Sequence, residues 1–240
     1  MIKLTIDNRM AEVEEGLTVL EVANQAGIYI PTLCYHEALT PVGSCRVCAV
    51  EVANNGKSSL TTACTYLVEP GLKVSTNSDR VKEARKLAVE LLLAQRPHSV
   101  KIQRLAQKLG ISQPRFGLEE KECILCQLCT RACREIVGAG AISFVARGLD
   151  RENDEAMIEV SQLRCIACGS CAYICPTRAI SMEDIGDIRV IETPSGRMEF
   201  KLRKCQNCGS YWAPEKQLEY IAEKTGLELK AFDLCPDCRD

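Results

Sequence analysis

Apolar and polar residues alternate from Met1 to Ile6 and again from Ala11 to Val13, with Asp7-Asn8 between them, which predicts a β-hairpin. Thr18 then offers an N-cap to a helix carrying Val19, Leu20, Val22, Ala23 and Ala26 and closing at Gly27. Further strands are predicted at Val47 to Val52 and Leu72 to Ser75, with Asn54-Asn55-Gly56 as the turn after the first. From Ser78 the period lengthens to Val81, Ala84, Leu87, Ala88, Leu91 and Leu92, a helical stripe stopped at Pro97, and a second helix follows from Ser99 to Leu109. These two simple amphipathic helices read as a scaffold spacer. Near the C-terminus, Leu218, Ile221, Ala222 and Leu227 place an amphipathic helix within Pro214 to Leu229.

No run approaches 18 apolar residues; the nearest, Ala88 to Ala94, is broken by Glu90. Composition changes the picture more than hydropathy does. Sixteen of 240 residues are Cys and only eleven are aromatic, which favours small metal-stapled modules over one large core. The first residues lack the apolar stretch and small-residue cleavage site of a signal peptide, so a cytoplasmic setting is expected. There thiols stay reduced, and metal or iron–sulfur ligation explains the cysteines better than disulfides. The formal net charge of −2 leaves no footprint for nucleic acid or an anionic membrane.

The cysteines fall into three blocks, each a multiple of the four thiolates that a tetrahedral zinc or an iron–sulfur cluster needs. Cys34, Cys45, Cys48 and Cys64 follow a β-rich segment. The close pair Cys45/Cys48 is expected to take adjacent positions, with Cys34 and Cys64 brought in from distant loops, as in a [2Fe-2S] centre. A structural zinc site is the rival, although zinc sites generally use two close pairs. Gly43-Ser44 lets backbone N–H groups approach the sulfides, and Arg46 is either a further charge at the centre or a solvated surface residue.

The second block holds two runs of C-x2-C-x2-C-x3-C, Cys123 to Cys133 and Cys165 to Cys175, the latter followed by Pro176. In such runs the fourth Cys ligates the other cluster. One [4Fe-4S] centre is therefore expected on Cys123, Cys126, Cys129 and Cys175, and a second on Cys165, Cys168, Cys171 and Cys133. Ala132, Ala167, Gly169, Ser170 and Ala172 leave room for backbone N–H groups to reach sulfide. The runs start 42 residues apart, so residues 134–164 are expected to carry an inserted hairpin with Asp150 to Glu155 as its polar loop.

In the third block, Cys205-x2-Cys208 and Cys235-x2-Cys238 make two knuckles suited to a closed zinc site of ribbon or treble-clef type; a further iron–sulfur cluster is the alternative. Residues 195–240 carry eight basic and eight acidic side chains, which favours a structural or docking knot over a nucleic-acid module. No P-loop is present, and Gly138-Ala139-Gly140-Ala141-Ile142-Ser143 fails the dinucleotide fingerprint at its third glycine. No catalytic set is evident; the pattern is that of an electron wire.

Pro31-Thr32-Leu33-Cys34, the ten-residue interval to Cys45 and Cys45-Arg46-Val47-Cys48 resemble the N-terminal ferredoxin module of the large iron–sulfur subunit of complex I. They are also similar to the diaphorase small subunit of NAD-reducing hydrogenases and the N-terminus of multimeric iron hydrogenases. That family often adds a cluster on a His-Pro stretch and three Cys. Here Arg96 stands at the His place and no Cys follows before Cys123, so that cluster is not expected and His98 reads as a surface residue. The C-terminal pattern resembles tails on some hydrogenase-associated ferredoxin subunits.

The motifs, together with the resemblance over residues 1 to about 185, imply an α+β chain of four parts: a β-grasp [2Fe-2S] ferredoxin at 1–78, a helical spacer at 79–117, a bacterial-type 2[4Fe-4S] ferredoxin at 118–190, and, from the spacing of its two Cys pairs, a four-cysteine, zinc-ribbon-like module at 195–240. The resemblance implies an electron-transfer subunit of a hetero-oligomeric NAD(P)H-linked oxidoreductase: a hydrogenase, a formate dehydrogenase, or a ferredoxin-linked, electron-bifurcating transhydrogenase. Its partners would be a flavin-bearing NAD(P)H-oxidising subunit, a further redox or catalytic subunit and soluble ferredoxin. Two rivals remain: an iron–sulfur subunit like that of succinate dehydrogenase or fumarate reductase, whose ferredoxin half lacks the full second Cys set, and a metal-stabilised adaptor.

Overall fold

The computed structural model describes residues 1–119, 121–145 and 157–239. Contacts divide the chain into two units, Met1–Cys126 and Gln127–Asp240.

Unit 1 is built on a five-stranded mixed sheet. β1 (Ile2–Ile6) and β2 (Arg9–Val13) form the expected hairpin, turning at Asp7 and Asn8, both with positive φ. β3 (Ala49–Asn54) pairs with β4 (Lys57–Thr62), and β5 (Lys73–Ser75) inserts between β1 and β3, parallel to β1, in the order β2-β1-β5-β3-β4. β4 has no counterpart in the sequence reading because it is an edge strand, mostly exposed, without an alternating face. α1 (Val19–Gln25) starts at a full capping box between Thr18 and Glu21 and lays Val19, Leu20, Val22 and Ala23 into the core. Each fully buried aliphatic side chain there contributes about 1.5–3 kcal/mol.

The helices expected as a spacer, α2 (Asp79–Gln95) and α3 (Val100–Lys108), belong to unit 1, with α2 packed on β3. Its inward face is Val81, Arg85, Ala88, Val89, Leu92 and Leu93, whereas Leu87 and Leu91 of the expected stripe are exposed. The helix is thus rotated from the predicted phase, and two buried charges lie on its inner side. Glu90 receives a bidentate pair from Arg115, Nε to Oε1 at 3.1 Å and Nη2 to Oε2 at 2.6 Å; Arg85 is described below.

Unit 2 begins with α4 (Leu128–Arg131), which widens into a π-turn over Ala132–Ile136. The hairpin expected between the cysteine runs is β6 (Ile142–Val145) and β7 (Met157–Val160); its loop at 150–155 lies outside the described residues. α5 (Ser170–Ile174) carries the end of the second run. A four-stranded antiparallel sheet then forms from β8 (Ser181–Ile185), β9 (Ile188–Thr193), β10 (Gly196–Lys204) and β11 (Tyr211–Pro214). The interval 190–195, expected to separate two modules, falls inside this sheet. α6 (Glu215–Thr225) packs on β10 and β11 and ends at Gly226, whose φ of 72° gives the left-handed turn.

Candidate metal centres

No disulfide joins any of the sixteen cysteines. In unit 1, Cys34, Cys45, Cys48 and Cys64 are buried, and the last two belong to the same hydrophobic core as the sheet. Cys48 Sγ and Cys64 Sγ are 3.4 Å apart, while Cys45 is hydrogen-bonded to Cys34 and its backbone N–H donates to Cys34 Sγ at 3.4 Å. The contacts therefore join each member of the close Cys45/Cys48 pair to one distant thiol, not to each other. The chain turns between them at Arg46, which adopts a φ of 59°. Two thiolates on one tetrahedral metal at about 2.3 Å stand roughly 3.8 Å apart, so Cys48 and Cys64 have the spacing of two ligands on one metal atom. The hydrogen bond with Cys64 brings the Cys48 thiol down to about 7. Cys64 is pushed up by the same bond and by burial. Gly43, at φ 64°, brings its backbone against Thr62, whose Oγ1 would lie 3.0 Å from a Cβ.

In unit 2, Cys133, Cys165, Cys168 and Cys171 line one cavity, walled by apolar side chains including Val137, Ile142, Val160, Ile191 and Met198. It holds about 420 Å³ of empty space, part of it open to solvent. Ala141 N–H donates to Cys133 Sγ at 3.2 Å. The second run wraps its thiols by left-handed residues at Ala167 and Gly169, with φ of 56° and 78°. Leu125 and Gln127 hold the matching places of the first run with φ of 54° and 60°, so the same backbone twist occurs twice. Burial pushes Cys171 up to about 12 and raises Cys165. A metal must therefore draw these protons off.

Cys123 and Cys126 close unit 1, where Leu125 N–H donates to Cys123 Sγ at 3.3 Å. Cys129 and Cys175 lie in unit 2, where Ala179 N–H donates to Cys175 Sγ at 3.2 Å. Backbone N–H groups aimed at sulfur favour the thiolate and fit an anionic cluster.

The C-terminal sheet braces the cavity in ways the sequence reading missed. Arg189 grips Asp184 with two bonds of 2.7 and 2.8 Å and donates to Ala167 O at 3.1 Å. Met182 covers Gly169 so closely that its Sδ would collide with a Cβ there. From α6, Tyr220 donates to Val137 O at 3.1 Å and Lys216 to Gln162 O at 2.9 Å. The alternation Met198, Phe200, Leu202 was the available signal for β10.

The four sulfurs of Cys205, Cys208, Cys235 and Cys238 all lie within 4.8 Å of one another, with Cys208 and Cys235 at 3.7 Å. That is the scale of one tetrahedral ion. Backbone N–H groups, led by that of Cys235, bring the Cys205 thiol down to about 6, while burial pushes Cys235 up to about 12. Arg203 pairs with Asp233 beside the knot, and the Arg239 guanidinium lies 5.3 Å from the Trp212 ring and 5.5 Å from that of Phe232.

Fold and thiol geometry define an α+β iron–sulfur protein of ferredoxin type, and known proteins agree. Residues 1–79 match the 2Fe-2S iron-sulfur cluster binding domain, and residues 122–179 and 164–210 match the 4Fe-4S dicluster domain. The chain is 30% identical to the gamma subunit of the NAD-reducing hydrogenase HoxS of Cupriavidus necator, over 84% of this chain and 94% of that one. It is 34% identical to an NADH-quinone oxidoreductase subunit of Rhizobium meliloti over 75% of its own length, and spans about a quarter (24%) of that longer protein. A crystal structure of an NAD+-reducing [NiFe]-hydrogenase in the H2-reduced state contains a chain that superposes with a TM-score of 0.56 at 29% identity, covering 65% of this chain and 74% of that one. The protein belongs to the family of iron–sulfur electron-transfer subunits that includes the hydrogenase gamma subunit and the complex I large iron–sulfur subunit. Among the described residues, no helix is long and apolar enough to cross a membrane.

Proposed function

We propose that the chain conducts electrons between a flavin-bearing NAD(P)H-oxidising subunit and a further redox subunit of one cytoplasmic complex. The observation that carries this reading is the single cavity shared by Cys133 with Cys165, Cys168 and Cys171, thiols drawn from two separate runs. In this reading Cys34, Cys45, Cys48 and Cys64 hold a [2Fe-2S] centre, and Cys133, Cys165, Cys168 and Cys171 hold one [4Fe-4S] centre. Cys123, Cys126, Cys129 and Cys175 hold a second [4Fe-4S] centre, and the C-terminal knot holds zinc. Such clusters, when bound, accept and release single electrons. The chain's residues hold them: apolar walls limit water, N–H groups face the sulfurs, and the C-terminal sheet fixes the loop of the second run. The near full-length relation to a subunit of an NAD-reducing hydrogenase supports the choice of partners. A nicotinamide gives up a hydride, two electrons at once, so a flavin is needed between it and one-electron centres.

The experiment is metal analysis and reduction of the anaerobically purified chain. About ten iron and one zinc per chain are expected. Dithionite should reduce the chain, and NADH or NADPH should do so only after a flavoprotein partner is added. Rapid pyridine-nucleotide oxidation by the chain alone, or about fourteen iron with no zinc, overturns the reading in its function or in its knot respectively.

A further inference from the structure

The inward face of α2 carries a guanidinium that the packing of the helix does not explain. Arg85 is only 8% exposed. Its Nε donates to Ala49 O at 2.9 Å, the carbonyl directly after Cys48, and its Nη2 is buried with no hydrogen-bond partner. Glu90, further along the same helix, shows how this protein treats another buried charge: it is neutralised by a bidentate arginine. Among the described residues, Arg85 has no such carboxylate. Asp7, the acidic side chain acting on it, already accepts from the Thr76 backbone N–H at 2.7 Å and from the Thr76 hydroxyl.

A buried, unpaired guanidinium is costly unless a negative charge lies close by. Burial is the largest influence on the Arg85 ionisation, and among the nearby groups favouring its cation the Cys48 thiol comes first. Cys48 is one of the four ligands assigned above to the two-iron centre. Such a centre, held by four thiolates, is an anion in both redox states and gains one further negative charge on reduction.

We propose that Arg85 is the counter-charge of the two-iron centre, a positioning residue on α2 that raises its reduction potential and orders the Ala49 carbonyl beside Cys48. The proposal rests on the ligand set given above for that centre. Because its Nε holds the carbonyl of Ala49, the residue after Cys48, Arg85 acts on the two-iron centre selectively.

The test is a redox titration of the anaerobically reconstituted full chain, following the two-iron signal by electron paramagnetic resonance. R85Q should shift the reduction equilibrium against the reduced centre about tenfold, which for one electron is about 59 mV more negative. The four-iron signals should stay in place. R85K, which retains the charge, should recover most of the shift. R80Q removes an exposed charge from the same helix, where Arg80 pairs with Glu51, and should leave the potential unmoved. An unchanged potential in R85Q, a shift in R85K as large as in R85Q, or an equal shift in all centres overturns the proposal. Should R85Q fail to assemble the centre, R85K decides: a wild-type potential supports the charge, and a tenfold loss refutes it. A wild-type chain with no two-iron signal would instead refute the ligand set, and with it the reading of the site.

Discussion

The thiols of unit 1 and those of the second run in unit 2 are held by different means. Cys48 and Cys64 sit inside a hydrocarbon core that also contains Leu4, Val22, Val50 and Leu72, so sheet and helix place the sulfurs before any metal arrives. Cys165, Cys168, Cys171 and Cys175 are only half-buried, on a loop with two left-handed residues around an open cavity. There the metal has to supply part of the folding energy. A pre-built site and a metal-built site thus coexist in one chain.

The largest expected effect follows from removing all metal by chelation of the full chain. Hydrogen exchange should then show β1, β3 and α1 still protected, while α4, α5 and the strands β6 to β10 exchange near the unfolded rate. Equal loss in both units would break the contrast. Next in size, Cys133→Ala should abolish the paramagnetic signal of the centre on Cys165, Cys168 and Cys171 and leave that on Cys123, Cys126 and Cys129 largely intact. Joint loss of both signals with the fold retained would remove the crossed assignment. Leu72→Ala, at a fully buried core position, should destabilise unit 1 by about 2–5 kcal/mol in denaturant melts while the iron content stays whole. Loss of iron in step with that destabilisation would mean that the unit 1 site depends on metal after all. The smallest effect is that of Tyr220→Phe, which deletes one hydrogen bond to Val137 O and should cost about 0.5–1.5 kcal/mol, read as faster bleaching of unit 2 clusters in denaturant. An unchanged bleaching rate would show that α6 does not brace the cavity.

The cysteine blocks were legible because each run is local: ligand spacing is written in consecutive residues, and no tertiary knowledge is needed to read it. The hairpin of β1 and β2 and the capping box of α1 were legible for the same reason. What escaped the reading is long-range. Pairing Cys34 with Cys45 and Cys48 with Cys64 depends on a left-handed turn at Arg46, a residue type that gives no warning of positive φ. Arg46 reads in the sequence as either a charge at the first centre or a solvated surface residue and is exposed, whereas Arg85, 37 residues after Cys48, is the buried one. Its signal was present as a charge in phase with Val81, Ala88, Val89 and Leu92, obscured by Leu87 and Leu91, which made a neater stripe on the wrong face. In the sequence, Gly169 marks room for N–H groups. Its positive φ and the Met182 side chain above it add a reason that only the β8 strand reveals.

The wall of the unit 2 cavity runs from Cys133 to Met198. A chain emerging from the ribosome cannot close that wall until residues beyond 198 are free and the β9–β10 hairpin can dock on it, and contacts as far apart in sequence as Cys133 and Met198 form late. Until then an apolar pocket edged by thiols stands open to water and to other chains. Folding order therefore sets a window in time: the second run is accessible to whatever delivers iron and sulfide before β10 has docked, and is sheltered from oxidants only afterwards.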